Sequence, residues 1–105
     1  MNNDKELLEL AAKAAGYEWD WFGPNFHIAI DERRFTAWNP LTDDGDAFRL
    51  MVNLEIAINP YAGKVVTWVE ANRMATHKTW DNNEDATKVV RLAIVIAAAE
   101  IGKTL

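Results

Sequence analysis

Few groups in this chain can do chemistry: His27 and His77, an acidic run at Asp43-Asp44-Gly45-Asp46, scattered carboxylates, and no serine or cysteine. A histidine raises a nucleophile only beside a hydroxyl or thiol. With threonine the one hydroxyl class left for that role, no hydrolytic triad is expected. Zinc needs two or more further ligands converging on a histidine, and neither H-x-x-x-H nor H-E-x-x-H spacing occurs. No metal and no cofactor is expected. Among 16 acids some close pair arises by chance, so glycosidase-type chemistry has no specific support. The chain reads as a non-enzyme.

The acidic run invites a calcium reading, but an EF-hand spreads its oxygen ligands over about twelve residues and closes on a Glu. Neither feature is present. Carboxylates at this point suit a helix N-terminus instead, where Thr42 or Asp43 accepts from orphan N–H groups. The five glycines, at 16, 23, 45, 63 and 102, form neither G-x-G-x-x-G nor a P-loop. A nucleotide would have to be held by side chains and stacking.

The elements that position these groups are readable from periodicity. Asp4 to Ala15 are strong helix formers with Leu7, Leu8, Ala11 and Ala15 on one stripe, and Gly16 follows as a helix stop. From Tyr17 to Trp38 the period becomes two, predicting strands near Glu18 to Phe22, Asn25 to Ile30 and Arg34 to Trp38. Gly23-Pro24-Asn25 and Asp31-Glu32-Arg33 supply the turns. A second helix carries Ala47, Leu50, Met51 and Leu54 on its core stripe. Alternation returns at Ile56 and Ile58 and breaks at Asn59-Pro60-Tyr61-Ala62-Gly63. Strands from Lys64 to Glu70 and Arg73 to Trp80 then form a hairpin across Ala71-Asn72. Asp81-Asn82-Asn83-Glu84 caps a last helix running from about Asp85 to Ile101, with Ala86, Val89, Val90, Ala93 and Ala97 as its main stripe. The reading is α+β: a mainly antiparallel sheet covered by three helices, in the order α-β-β-(β)-α-β-β-β-α. The second half of the last helix is apolar all round. It either lies between the sheet and another helix or faces a second copy, and a homodimer through this third helix is expected.

Composition bounds the rest. With 105 residues, half of them apolar and 26% charged, residues 1–105 form one domain able to bury roughly two-thirds of the unfolded chain's surface. The net charge of −5 argues against general nucleic-acid binding, which needs clustered Lys and Arg. The opening residues have no basic segment leading into an apolar one, so no secretory signal is expected. The longest uncharged apolar run, Leu92 to Ala99, falls far short of the roughly 20 residues that cross a bilayer. A soluble protein of a reducing cytoplasm is the expectation.

Five tryptophans remain. Trp19, Trp21 and Trp68 read as core. Trp38, followed by Asn39, and Trp80 stand at strand ends beside polar loops, with Arg73 and His77 near Trp80. These five residues, Trp38, Asn39, Arg73, His77 and Trp80, are the candidate surface for a ligand or partner.

The stretch Trp38-Asn39-Pro40-Leu41-Thr42-Asp43, running directly into an amphipathic helix, resembles the phage ABA sandwich domain. That domain belongs to tailed phages and prophages and shows the same W-N-P-x-T-D pattern. The Leu-rich first helix, the aromatic Trp19, Trp21 and Phe22, and the Ala-rich last helix extend the resemblance over nearly the whole chain. It implies a fold and a phage setting, and no catalytic residue. The leading expectation is therefore a phage or prophage accessory protein, a binding module in the host cytoplasm that interferes with a host protein. The alternatives are a small-molecule binder of nucleotide-like ligands with an aromatic pocket and a virion or assembly component.

Overall fold

The computed structural model describes residues 4–61, 64–69, 74–79 and 85–105, with the backbone alone at 61, 64, 65 and 74–79. Its elements are α1 (Asp4–Ala15), β1 (Trp19–Phe22), β2 (Asn25–Ala29), β3 (Phe35–Ala37), α2 (Asp44–Asn53), β4 (Ile56–Tyr61), β5 (Lys64–Val69), β6 (Met74–Thr79) and α3 (Ala86–Lys103). This is the α+β class with antiparallel pairing throughout the described strands. The strands divide into two separate three-stranded sheets, β1-β2-β3 and β4-β5-β6, each in sequence order.

Helix α1 ends as its glycine dictates. Gly16 adopts φ 80, its N–H donates to the Lys13 carbonyl, and the Tyr17 N–H donates to the Ala12 carbonyl at 2.9 Å. The chain then enters the first sheet. Gly23, at φ 64, opens the tight turn that sets Trp19 opposite Ile28 and Trp21 opposite Phe26. At the other turn the Asp31 carboxylate accepts from the N–H groups of Arg33 and Arg34 and from the Arg34 guanidinium. The Arg33 N–H first, then the Arg34 side chain, hold the Asp31 carboxyl below the usual carboxylate range. One face of this sheet supplies Phe26 and Ile28 to the core. The Trp21 indole on that face donates to Glu9 of α1 at 2.8 Å, with the Lys5 ammonium over its ring.

Helix α3 is the centre of the fold. It lies against α1, α2 and all three strands of the second sheet, with Ala93, Val95, Ala97 and Ala98 wholly buried. Much of the apolar surplus of α3 thus packs within the chain, while Leu92 and Ile96 are only half-buried. Small residues let α1 and α3 approach: Ala11 and Ala12 are fully buried, and a Cβ on Gly102 would be driven into the Leu10 carbonyl. The second sheet turns Ile56 and Val69, directly paired, onto this helix.

The ends of β1, β2 and β3 fall within a residue of expectation and α3 continues two residues further, to Lys103, while two other departures have a chemical cause. Strand β4 runs through Asn59 and Pro60 to Tyr61, with Pro60 opposite Val65. It is an edge strand, so the missing proline N–H removes no ladder bond on the open side. At α3 the cap is Asp85, whose carboxylate accepts from the N–H and hydroxyl of Thr87. The expected cap at Asp81 to Glu84 lies outside the described residues, as do the turns at Ala62-Gly63 and Ala71-Asn72.

Candidate functional site

The segment between β3 and α2 is organised by its polar residues. The Asn39 N–H donates to Asp46, the Asn39 side-chain oxygen accepts from the Leu41 N–H, and its carbonyl accepts from the N–H groups of Thr42 and Asp43. Asp43 is the N-cap of α2 and accepts from the Asp46 N–H at 2.8 Å. Asp46 and Asp44, past the cap, meet Arg49 and Arg91 respectively. Arg49 is shared, at 2.8 Å from Asp46 and 4.0 Å from Asp43, while Asp44 turns to Arg91.

This anchoring stands α2 beside α3 so that a cleft of about 450 Å³ opens between them. Ala47, Phe48 and Met51 line it from α2, Val90, Arg91 and Ile94 from α3, and Ile58 and Pro60 from β4. Its walls are almost wholly hydrocarbon. The ionisable side chains among the lining residues are Asp44 and Arg91, and they engage each other at 2.6 Å across the mouth. Arg91 also donates from Nε to the Leu41 carbonyl at 2.9 Å, which lashes α3 to the loop before α2. Phe48 is 61% exposed at the rim, and Val52, one turn further along α2, is exposed as well. The cleft and this strip form apolar surface on one side of the molecule.

Among the described residues no cluster of three or more His, Cys, Asp or Glu could hold a metal ion. Nor is any described helix long and apolar enough to cross a membrane.

Of the residues singled out from the sequence, Trp38 and Asn39 lie outside this cleft. Trp38 is only 4% exposed: its N–H continues the ladder to the Phe26 carbonyl, and its ring meets Tyr17 edge-on at 5.6 Å and tilts against Phe26 at 5.8 Å. It is a core tryptophan, whereas Trp19, expected in the core, is exposed at 36%. The ladder bond to Phe26 carries the chain back onto the buried face of the first sheet before α2 begins, and that turns the Trp38 ring inward. Trp38 and Asn39 border a second hollow of about 250 Å³ with Lys5, Leu8, Trp21 and Phe26. His77 sits in β6 opposite Val66, and Arg73 and Trp80 lie outside the described residues.

The cleft residues carried a fainter signal. Phe48 and Val52 are large, apolar, spaced i and i+4, and fall off the core stripe of Ala47, Leu50, Met51 and Leu54. A second apolar stripe on a surface helix is a mark of something to be covered.

A scan of protein-family models, a search of curated proteins and a search of solved structures find no match to this chain.

Proposed function

We propose that this protein is a non-enzymatic binding module whose recognition element is the apolar cleft between α2 and α3. The observation that carries the reading is Phe48, held 61% exposed at the rim of a hydrocarbon-lined cavity of about 450 Å³. Aromatic side chains beside a pocket are the usual anchors of protein interfaces. Val52 continues the apolar surface beyond the cavity, which favours an apolar side-chain cluster on a protein partner over a ligand confined to the cleft.

The W-N-P-x-T-D stretch and its resemblance to the phage ABA sandwich domain support a phage or prophage accessory protein acting on a host protein in the cytoplasm. A second reading is a small molecule with an apolar body, since the cavity falls within the roughly 300–1,000 Å³ of ligand sites. A nucleotide fits it poorly, because Arg91, the one cation among its described lining residues, is already paired with Asp44.

Charging the rim separates these ideas. A host protein held by the wild-type chain is expected to be released by Phe48→Glu, while thermal unfolding of the variant stays unchanged. Equal retention by both proteins removes the cleft from the account, and reproducible turnover of a metabolite removes the non-enzymatic reading.

A further inference from the structure

The first sheet has two unlike faces. Trp19, Trp21, Phe26 and Ile28 share the face turned to the core. The cross-strand pairs Asp20 with His27, and His27 with Ala37, define the other. On that open face Phe22 from β1 and Phe35 from β3 lean together over the middle strand. Their ring centroids are 5.7 Å apart, and Phe22 stacks on the His27 ring at 4.3 Å and 25°. Phe22 is 48% exposed and Phe35 41%. The imidazole is oriented by its Nδ1, which donates to the Asn25 carbonyl at 3.3 Å. Cross-strand stacking accounts for the rings meeting one another. It does not account for two phenylalanines left open to water on a face that no described helix covers.

Among the described residues, the charged groups carried on this face by the strand β1 and the residue before it are acidic, and the exposed Arg33 lies in the turn ahead of Phe35. Asp20 stands directly across from His27, and Glu18, two residues earlier, shares its parity; both are exposed. Nearby, the Arg34 guanidinium is paired with Asp31 at 2.8 Å. π faces bordered by carboxylates attract a cation and repel a phosphate. A planar guanidinium suits them best, because it stacks on a ring while its edge donates to a carboxylate.

From this we infer that the Phe22–His27–Phe35 face is a docking surface for an arginine side chain presented by a partner protein. The guanidinium lies over the phenylalanine rings and hydrogen-bonds the Asp20 carboxylate. The inference does not depend on the α2–α3 cleft, which lies on other elements.

The test uses the full chain and three probes: the peptide acetyl-Gly-Arg-Gly-amide, its citrulline counterpart, and a thymidine oligonucleotide. Ring resonances of Phe22, His27 and Phe35 are followed by NMR. The arginine peptide is expected to move these three sets of resonances in a saturable way, with an affinity in the millimolar range, about 4 kcal/mol of binding. Asp20→Asn is expected to weaken it by about five-fold and Phe35→Leu, which keeps apolar bulk but removes a π face, by a similar factor. Equal shifts with citrulline, shifts spread over the whole surface, or affinity unchanged in both variants would overturn the inference. Oligonucleotide binding at these rings in preference to the peptide would overturn it in favour of a nucleic-acid surface.

Discussion

Arg91 on α3 and Asp44 on α2 meet at 2.6 Å although 47 residues separate them, and they close the mouth of the cleft on one side. The two partners are not equivalent. The Arg91 side chain is 16% exposed and that of Asp44 is 77% exposed, and Arg91 alone holds the Leu41 carbonyl. Removing the exposed carboxylate by Asp44→Ala is expected to cost about 0.5 kcal/mol, as exposed ion pairs do. Arg91→Ala also loses the carbonyl bond and the packing of its stem, and should cost roughly 2 kcal/mol. Urea unfolding of the two variants checks the asymmetry; equal losses would show that the ion pair itself ties the helices.

Gly102 lies inside α3, where alanine is intrinsically the better helix former. Gly102→Ala is nevertheless expected to destabilise by about 1–3 kcal/mol, the usual cost of overpacking, because the new methyl meets the Leu10 backbone and not a side chain able to swing away. A thermal melt at or above the wild-type midpoint would mean that α1 and α3 can separate at no cost.

Glu55 sits at φ 54, just after the end of α2. A side chain in that region is strained, and glycine is not. Glu55→Gly should therefore stabilise the protein, by up to about 1 kcal/mol after the added freedom of the unfolded chain is subtracted. Chemical denaturation with an unchanged m-value is the check, and a loss of stability contradicts it.

Asp85 caps α3 in its ionised form. The Thr87 hydroxyl, foremost, holds its carboxyl below the usual range. For a carboxylate lowered by folding, the stabilisation is present above the unfolded-state value and disappears as pH falls through the folded-state value. The gap in urea midpoint between wild type and Asp85→Ala should thus be full at neutral pH and shrink on acidification through and below the ordinary carboxylate range. A gap independent of pH would assign the effect to something other than the cap.

Local chemistry made the elements legible. Gly16, Asp43 and the two-residue alternation from Phe26 to Ile30 act over a few residues, so the spacing alone announces a helix stop, a cap and a strand. Whether the strands join is decided by α2 and by the packing of α3, and alternation carries no information on that; the division into two sheets followed from tertiary structure. Pro60 misled in the same way, since a proline excluded from a central strand is tolerated at an edge, and edge position is a property of the sheet. Trp38 shows the limit for sites. Placement beside a polar loop looked like exposure, yet the ladder bond to Phe26 turns the ring inward. The residues Trp38 to Asp43 each have a structural duty: Trp38 and Pro40 are buried, Asn39 gathers the turn, the Leu41 carbonyl accepts from Arg91, Thr42 and Asp43 donate to the Asn39 carbonyl, and Asp43 caps.

The central claim is that the cleft beside Phe48 is where a partner binds, and site-specific photocrosslinking tests it most directly. A benzophenone amino acid placed at position 48 in the full chain, in living cells that express it, is expected to give one predominant protein adduct. The same group at the exposed Lys13, on α1, is expected to give none. Absence of an adduct at position 48, or the same adducts from both positions, would contradict the account.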